Sequence, residues 1–377
     1  MKPTLLKIAA FALLTALARQ TLSAATSAPS PTVSNATPSS VSSLRVAVDP
    51  RVELLSLVFR LAGNPEYNQA RVQSYADDAE QQFDSFRDHA VVQLARKLRS
   101  TRGVSYDACM SMAVHLSDAY QLQPIVPLNP WPEGLDNRWT AASAANFLTA
   151  ARQFVKDTAF KQFIERHQPL YDTTTARMKA LMDKEGHLPW FQDYFGERPQ
   201  ATFIVALGML NGGSCYGPHC RNAAGKDELF CVLGVWRTDA QGLPEFTRDM
   251  LGTVVHEFCH SYANAVIHRH YAELEPAGDK LFRGVSDKMR SQAYGNAQTM
   301  LCESLVRACV VRYRLRYEGA AAAQREIRDQ KQRGFVWMEE LSNQLADYEA
   351  HRDRYPTLET FSPRLVAFFK QYAEHNR

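Results

Sequence analysis

Residues 254–262 read Val-Val-His-Glu-Phe-Cys-His-Ser-Tyr, and a segment with His256, Glu257 and His260 at this spacing has few ways to fold. On a helix His256 and His260 are one turn apart, so both imidazoles project from one face toward a single point. Two nitrogen donors placed in this way suit a tetrahedral zinc ion, with Glu257 beside them to take a proton from water. The neighbours Val254, Val255, Phe258, Tyr262, Ala263, Val266 and Ile267 are apolar or aromatic. An unpaired acid is costly inside an apolar helix, so this HExxH segment is expected to hold a metal ion rather than to be a solvated helix.

The N-terminus reads as a secretory signal peptide over residues 1–25. Lys2 and Lys7 supply its positive end, residues 8–18 an eleven-residue apolar run, and Ser23-Ala24-Ala25 a small-residue cleavage site. Eleven residues are too few to span a bilayer, so no stable membrane span is expected after cleavage. The Ser/Thr/Ala/Pro-rich stretch at 26–44 reads as a disordered leader, with the folded part beginning near Leu44 or Arg45. These features predict a periplasmic or secreted protein.

Lys2, Lys7 and Arg19 are the only charges in residues 1–25, and the rest of the chain carries equal numbers of basic and acidic residues. Such a balance offers no nucleic-acid or anionic-membrane surface. The remaining length, roughly 330 residues, is enough to bury one large core or two smaller ones. Seven cysteines, at 109, 215, 220, 231, 259, 302 and 309, leave at least one unpaired in a monomer. Cys215 and Cys220 flank a Tyr-Gly-Pro-His turn and are the first candidates for a disulfide.

Helix-period segments occupy 52–62, 68–99, 106–115, 140–167 and 170–182, with a proline-rich break at 124–132. The short apolar runs at 201–210 and 228–236 read as strands. Helix resumes over 245–268, and further helices are expected at 296–317, 320–331, 335–353 and 363–374. The expected architecture is therefore α+β and mainly α. It has a helical N-terminal part (45–200), then strands, the HExxH helix and a helical C-terminal part (201–377). A strand beside the metal-binding helix would hold an extended substrate by backbone pairing.

A catalytic zinc needs three protein ligands and an open position. A histidine six residues after His260 is excluded, because that position is Val266. Glu303 suits the role as the only acid between Asp287 and Glu318, inside the largely apolar run 300–308. An intrahelical pair with Arg307 at i+4 is the alternative for Glu303. Glu273, Glu275, Asp279, His268 and His270 compete as third ligands, the three acids being assigned to a loop after the HExxH helix. Zinc held by His256, His260 and Glu303 would acidify a bound water, with Glu257 as general base. Tyr294 is the first candidate to stabilise the developing oxyanion, with Tyr262, Tyr271, His219 and Arg283 as alternatives.

The HExxH helix followed by Glu303 on a second helix resembles the gluzincin group of zinc metallopeptidases. Residues 48–55, 256–260 and 303–308 further resemble an uncharacterised bacterial family of exported proteins predicted to be zinc peptidases. That likeness covers about residues 45–375 and implies a zincin-like fold and a peptide or protein substrate. It assigns the ligand roles to His256, His260 and Glu303 and the general-base role to Glu257. Many gluzincins carry an aspartate four residues after the glutamate ligand; here that position is Arg307, which only donates. A backbone carbonyl or Asp249 would then orient the imidazoles, and Arg307 would hold Glu303. Two other classes fit the same residues: a non-catalytic zincin-like binding module of the cell envelope, and a zinc hydrolase of a non-peptide amide or ester. Intact Glu257 weighs against the binding module.

Overall fold

The computed structural model describes residues 43–375 apart from 197, 199, 200 and 223. The expected signal peptide and nearly all of the expected leader lie outside the described residues. Among those described, no helix is long and apolar enough to cross a membrane.

The chain enters through strand β1 (Ser43–Val48) and turns at once into α1 (Pro50–Leu61). Asp49 caps α1 by accepting from the Arg51 backbone N–H, and Pro50 fits the first helical turn, where its missing donor costs nothing. Six helices follow: α2 (Gln73–Phe83), α3 (Ala90–Arg102), α4 (Asp107–Val114), α5 (Ala141–Asp157), α6 (Phe160–Arg166) and α7 (Gln168–Glu185). After α8 (Pro189–Phe195) come β2 (Thr202–Gly208), β3 (Cys215–Tyr216), β4 (His219–Arg221) and β5 (Asp227–Gly234). The C-terminal part is helical: α9 (Leu251–Arg269), α10 (Tyr271–Ser291), α11 (Ala297–Glu318), α12 (Ala320–Gln332), α13 (Met338–Ala350) and α14 (Leu358–His375).

One mixed sheet organises these helices. β1, β2 and β5 run parallel in that order, and β3 and β4 pair antiparallel with β5. β2 and β5 are covered on both faces, which is why they read in the sequence as unbroken apolar runs. On one side α9 seats Phe258 edge-on against Phe203 of β2, with ring centroids 4.9 Å apart. α9 packs along α11, which in turn contacts α10, α12 and α13.

Several elements differ from the sequence expectation. β1 begins at Ser43, so residues 43 and 44 belong to the sheet rather than to the leader, and the N-terminal part contributes a strand. The stretch 68–99 is two helices, because a 3-10 turn at Asp84–Phe86 ends α2 and His89 caps α3 by accepting from Val91. Residues 140–167 divide at Ala159, whose left-handed backbone starts α6 afresh. The supposed loop after the HExxH helix is α10, helical through Pro276. Its buried Leu274, Gly278, Leu281, Phe282 and Met289 face its neighbours, and that packing outweighs the broken backbone bond. Cys215 and Cys220 form no disulfide. Five residues apart on an extended segment, they face opposite sides, Cys215 near Glu257 and Cys220 near Arg51. All seven cysteines are free thiols.

Candidate metal centre

The centre lies where α9 crosses α11. His256 and His260 project from one face of α9, and Glu303 reaches them from α11. The Nε2 atoms of the two imidazoles are 3.2 Å apart. Glu303 Oε2 is 3.4 Å from His256 Nε2, and Glu303 Oε1 is 3.4 Å from His260 Nε2. Four donors around zinc at ordinary Zn–N and Zn–O lengths stand about 3.3 Å from one another along the tetrahedral edges. The observed separations are close to that edge, with the carboxylate meeting His256 through Oε2 and His260 through Oε1, so the three side chains form a group that could hold a metal ion.

The electrostatics agree. Burial drives the His256 imidazole well below its usual range, with Glu303 opposing, so this nitrogen favours its neutral, ligating form. Burial pushes the Glu303 carboxyl up, but Arg307, His256, His260 and Tyr294 outweigh it and hold the group at about 2. Oε2 of Glu303 is buried and accepts no hydrogen bond, although Arg307 Nη2 meets it as an ion pair at 2.9 Å. A buried carboxylate oxygen left in this state, beside the His256 imidazole, fits a cation ligand.

A supporting layer fixes the donors. His260 Nδ1 lies 3.1 Å from Asn264 Oδ1, so the ring N–H donates there and Nε2 is left with its lone pair turned toward Glu303. Arg307 spans three groups: the Glu303 carboxylate, the Tyr294 hydroxyl at 2.7 Å and Gln330 Oε1 of α12 at 2.9 Å. Its guanidinium also sits over the Phe335 ring, 4.8 Å from the centroid. Tyr294 accepts from Arg307 and lies close enough to Glu303 for each to shift the other's titration.

Glu257 is buried one position along α9, and no described residue hydrogen-bonds its carboxylate. Burial, and then the charge of Glu303, push its carboxyl well above the usual range. Its surroundings are the edge of the sheet. Cys215 of β3 and Cys231 of β5 both feel its charge. A Cβ on Gly217, between β3 and β4, would come within 2.2 Å of the Glu257 carbonyl oxygen, so the strand lies directly on the helix backbone. Gly234 donates to the Ser214 carbonyl and Phe230 to the Pro218 carbonyl. By the alternation of an antiparallel ladder, Cys215, Gly217 and His219 turn their main-chain groups away from β5, toward the outer edge.

The profile of a family described as a domain of unknown function (DUF4932) matches residues 44–368. The chain belongs to that family. No curated protein and no solved structure matches it. The chemistry of this DUF4932 chain therefore rests on its own atoms.

Of the residues singled out in the sequence, His256, His260 and Glu303 are brought together, Glu257 stands beside them, and Tyr294 touches Glu303. Arg307 does hold Glu303. The other third-ligand candidates are elsewhere: Glu273 pairs with Lys370, His270 bonds Ser362, and Glu275 and Asp279 are exposed on α10. Asp249 is half exposed, pairs with Arg237 and orients neither imidazole. Tyr262 lies under the Arg198 guanidinium, 4.4 Å from ring centroid to carbon, and Arg283 is exposed. Sequence reasoning missed Asn264 and Gln330. Asn264 was detectable, one turn beyond His260 on the same face. Gln330 had no local signal, since α12 brings it to Arg307 from 23 residues away.

Proposed function

We propose that this chain is an exported zinc-dependent peptidase with a zincin-like active site. The observation that carries the reading is the convergence of His256, His260 and Glu303, with nitrogen and oxygen atoms 3.2–3.4 Å apart, and with Glu257 next to them and free of any hydrogen-bond partner among the described residues. Bound to these three residues, zinc would supply a Lewis acid for the substrate carbonyl and an acidified water.

The chain's own groups do the rest. Glu257 takes the proton of the attacking water and returns it to the leaving amine. Tyr294, in contact with Glu303, donates to the oxygen that gains charge. Arg307 and Asn264 keep Glu303 and His260 aimed at one point, so that little reorganisation is needed during reaction. The outward main-chain groups of Cys215 and Gly217 favour a peptide over other amides or esters, because an extended backbone is the ligand that can pair with a strand edge.

The test is metal analysis of the purified protein together with chelator-sensitive cleavage of a mixed peptide library, with Glu257→Gln as the blank. Zinc near one per chain, and cleavage absent from the blank, is the expected result. Bound zinc without cleavage would point to a non-peptide substrate, and neither zinc nor cleavage would leave a binding scaffold.

A further inference from the structure

We propose that the cleft is closed on one side of the reacting bond, so that this site trims peptides from one end and does not cut them internally. The inference rests on the peptidase reading and adds to it a limit on where the substrate's scissile bond can lie.

The strand edge beside Glu257 is short. Cys215 and Gly217 present outward main-chain groups, and upstream the chain leads to the exposed Gly213. Downstream the edge is blocked. Gly134 stands against the outward carbonyl of His219, so closely that a Cβ there would lie 2.3 Å from that oxygen. The glycine also holds a left-handed backbone, with φ of 85°, so only a residue without a side chain fits both this conformation and the close approach. From Gly217, which packs on the Glu257 main chain, to the block at His219 is two residues of extended chain, at roughly 3.4 Å each.

The obstruction is a fixed part of the fold. Ser111 of α4 donates to the Gly134 carbonyl at 3.0 Å and accepts from the Asp136 N–H at 2.9 Å. His115 Nε2 lies 3.2 Å from the Glu133 carbonyl, and Trp131 Nε1 donates to the Leu135 carbonyl at 2.9 Å. Arg138 binds Asp136 with two nitrogens, at 2.8 Å each, and its backbone N–H donates to the same carboxylate at 2.7 Å. Residues 131–138 are therefore tied to α4 and to themselves at every second or third position. A substrate backbone paired along Cys215 and Gly217 meets this wall after about two residues and has to end there. On the opposite side the edge runs through Cys215 to the exposed Gly213, and the next close main-chain contact among the described residues is that of Gln69 against Gly212, farther out.

Long linear peptides of mixed sequence, incubated with the full chain and sampled at early times, provide the test by mass spectrometry of the first products. All first cuts should fall within about two residues of one terminus, the same terminus for every peptide. First cuts scattered through the middle of the peptides would overturn the inference and leave the peptidase reading standing. Absence of any cut by the zinc-loaded protein would sink both. Ser111→Ala removes two ties of the wall without touching the metal site. It should shift first cuts inward while zinc binding stays unchanged, and an unshifted pattern in a folded variant would assign the limit to something other than this loop.

Discussion

Arg307 Nη2 lies 2.9 Å from Glu303 Oε2, one turn along the same helix and almost fully buried. Removing one partner of such a pair leaves the other uncompensated. Without Arg307, Glu303 faces burial with less opposing charge, and a proton competes better with a metal for its oxygens. Arg307→Met should weaken zinc binding roughly 10–100-fold, as loss of an outer support commonly does. Titration against a competing chelator measures it, with circular dichroism to establish that the variant is folded. An unchanged zinc affinity would mean that α11 alone positions Glu303.

Glu257 and Tyr294 should separate catalysis from metal binding. Glu257→Gln is expected to keep zinc and lose turnover. Tyr294→Phe should keep most of the zinc and lower kcat by roughly 10²–10³-fold with a smaller change in KM, the signature of a donor used mainly in the transition state. If Tyr294→Phe instead lost zinc and kept kcat per bound metal, the phenol would serve only to steady Glu303.

Two glycines should respond in opposite directions to the same substitution. Gly217→Ala puts a methyl 2.2 Å from the Glu257 carbonyl and should destabilise the protein by roughly 1–3 kcal/mol, lowering activity as strand and helix part. Gly284, on the solvent side of α10, has open space around its missing Cβ. Gly284→Ala should stabilise by about 0.5–1 kcal/mol. Urea unfolding of both variants checks the pair, and equal shifts in one direction would contradict the packing.

Glu53, which belongs to none of the groups of the candidate metal centre, predicts a pH dependence of stability. Burial raises its carboxyl from 4.5 to about 7, against hydrogen bonds from Tyr75 and the Met209 N–H. Below pH 4.5 the folded and unfolded chains both hold the proton, so stability is unaffected by this group. As pH rises toward 7 the unfolded chain ionises first, and stability falls by on the order of 3 kcal/mol in total. Glu53→Gln should flatten the stability profile across that window. A slope unchanged by the substitution would assign it to other groups.

Thiol titration under denaturant should find seven free cysteines per chain. In the native protein Cys215 should react first, being the one cysteine of the seven that is not buried. A lower count after denaturation, restored by reductant, would reveal a disulfide and move the chain at the residues involved.

The candidate metal ligands were legible because each carries a local signature. His256 and His260 are one turn apart, and Glu303 is the lone acid in a long apolar stretch. β2 and β5 were legible as strands for a similar reason, being apolar throughout. β1 was not: as an edge strand it alternates Leu44, Val46 and Val48 with Ser43, Arg45 and Ala47, too short a pattern to stand out beside a Ser/Thr-rich leader. α10 was hidden by Pro276, because local propensity carries no information about α11 and α14 waiting to cover its apolar face. Gln330 and the Gly134 wall were invisible for the same reason. Both are defined by what tertiary folding places opposite them.

Gly217 gives the cleft a mechanical property. With no side chain between them, the strand segment on which we place the substrate and the helix that carries Glu257 touch backbone to backbone. A fluctuation of one surface drags the other with it, so their separation survives thermal motion that would open a gap padded by flexible side chains. The distance from a paired peptide to the Glu257 main chain is thereby set by backbone geometry, and only the torsions of the Glu257 side chain itself lie between that and its carboxylate.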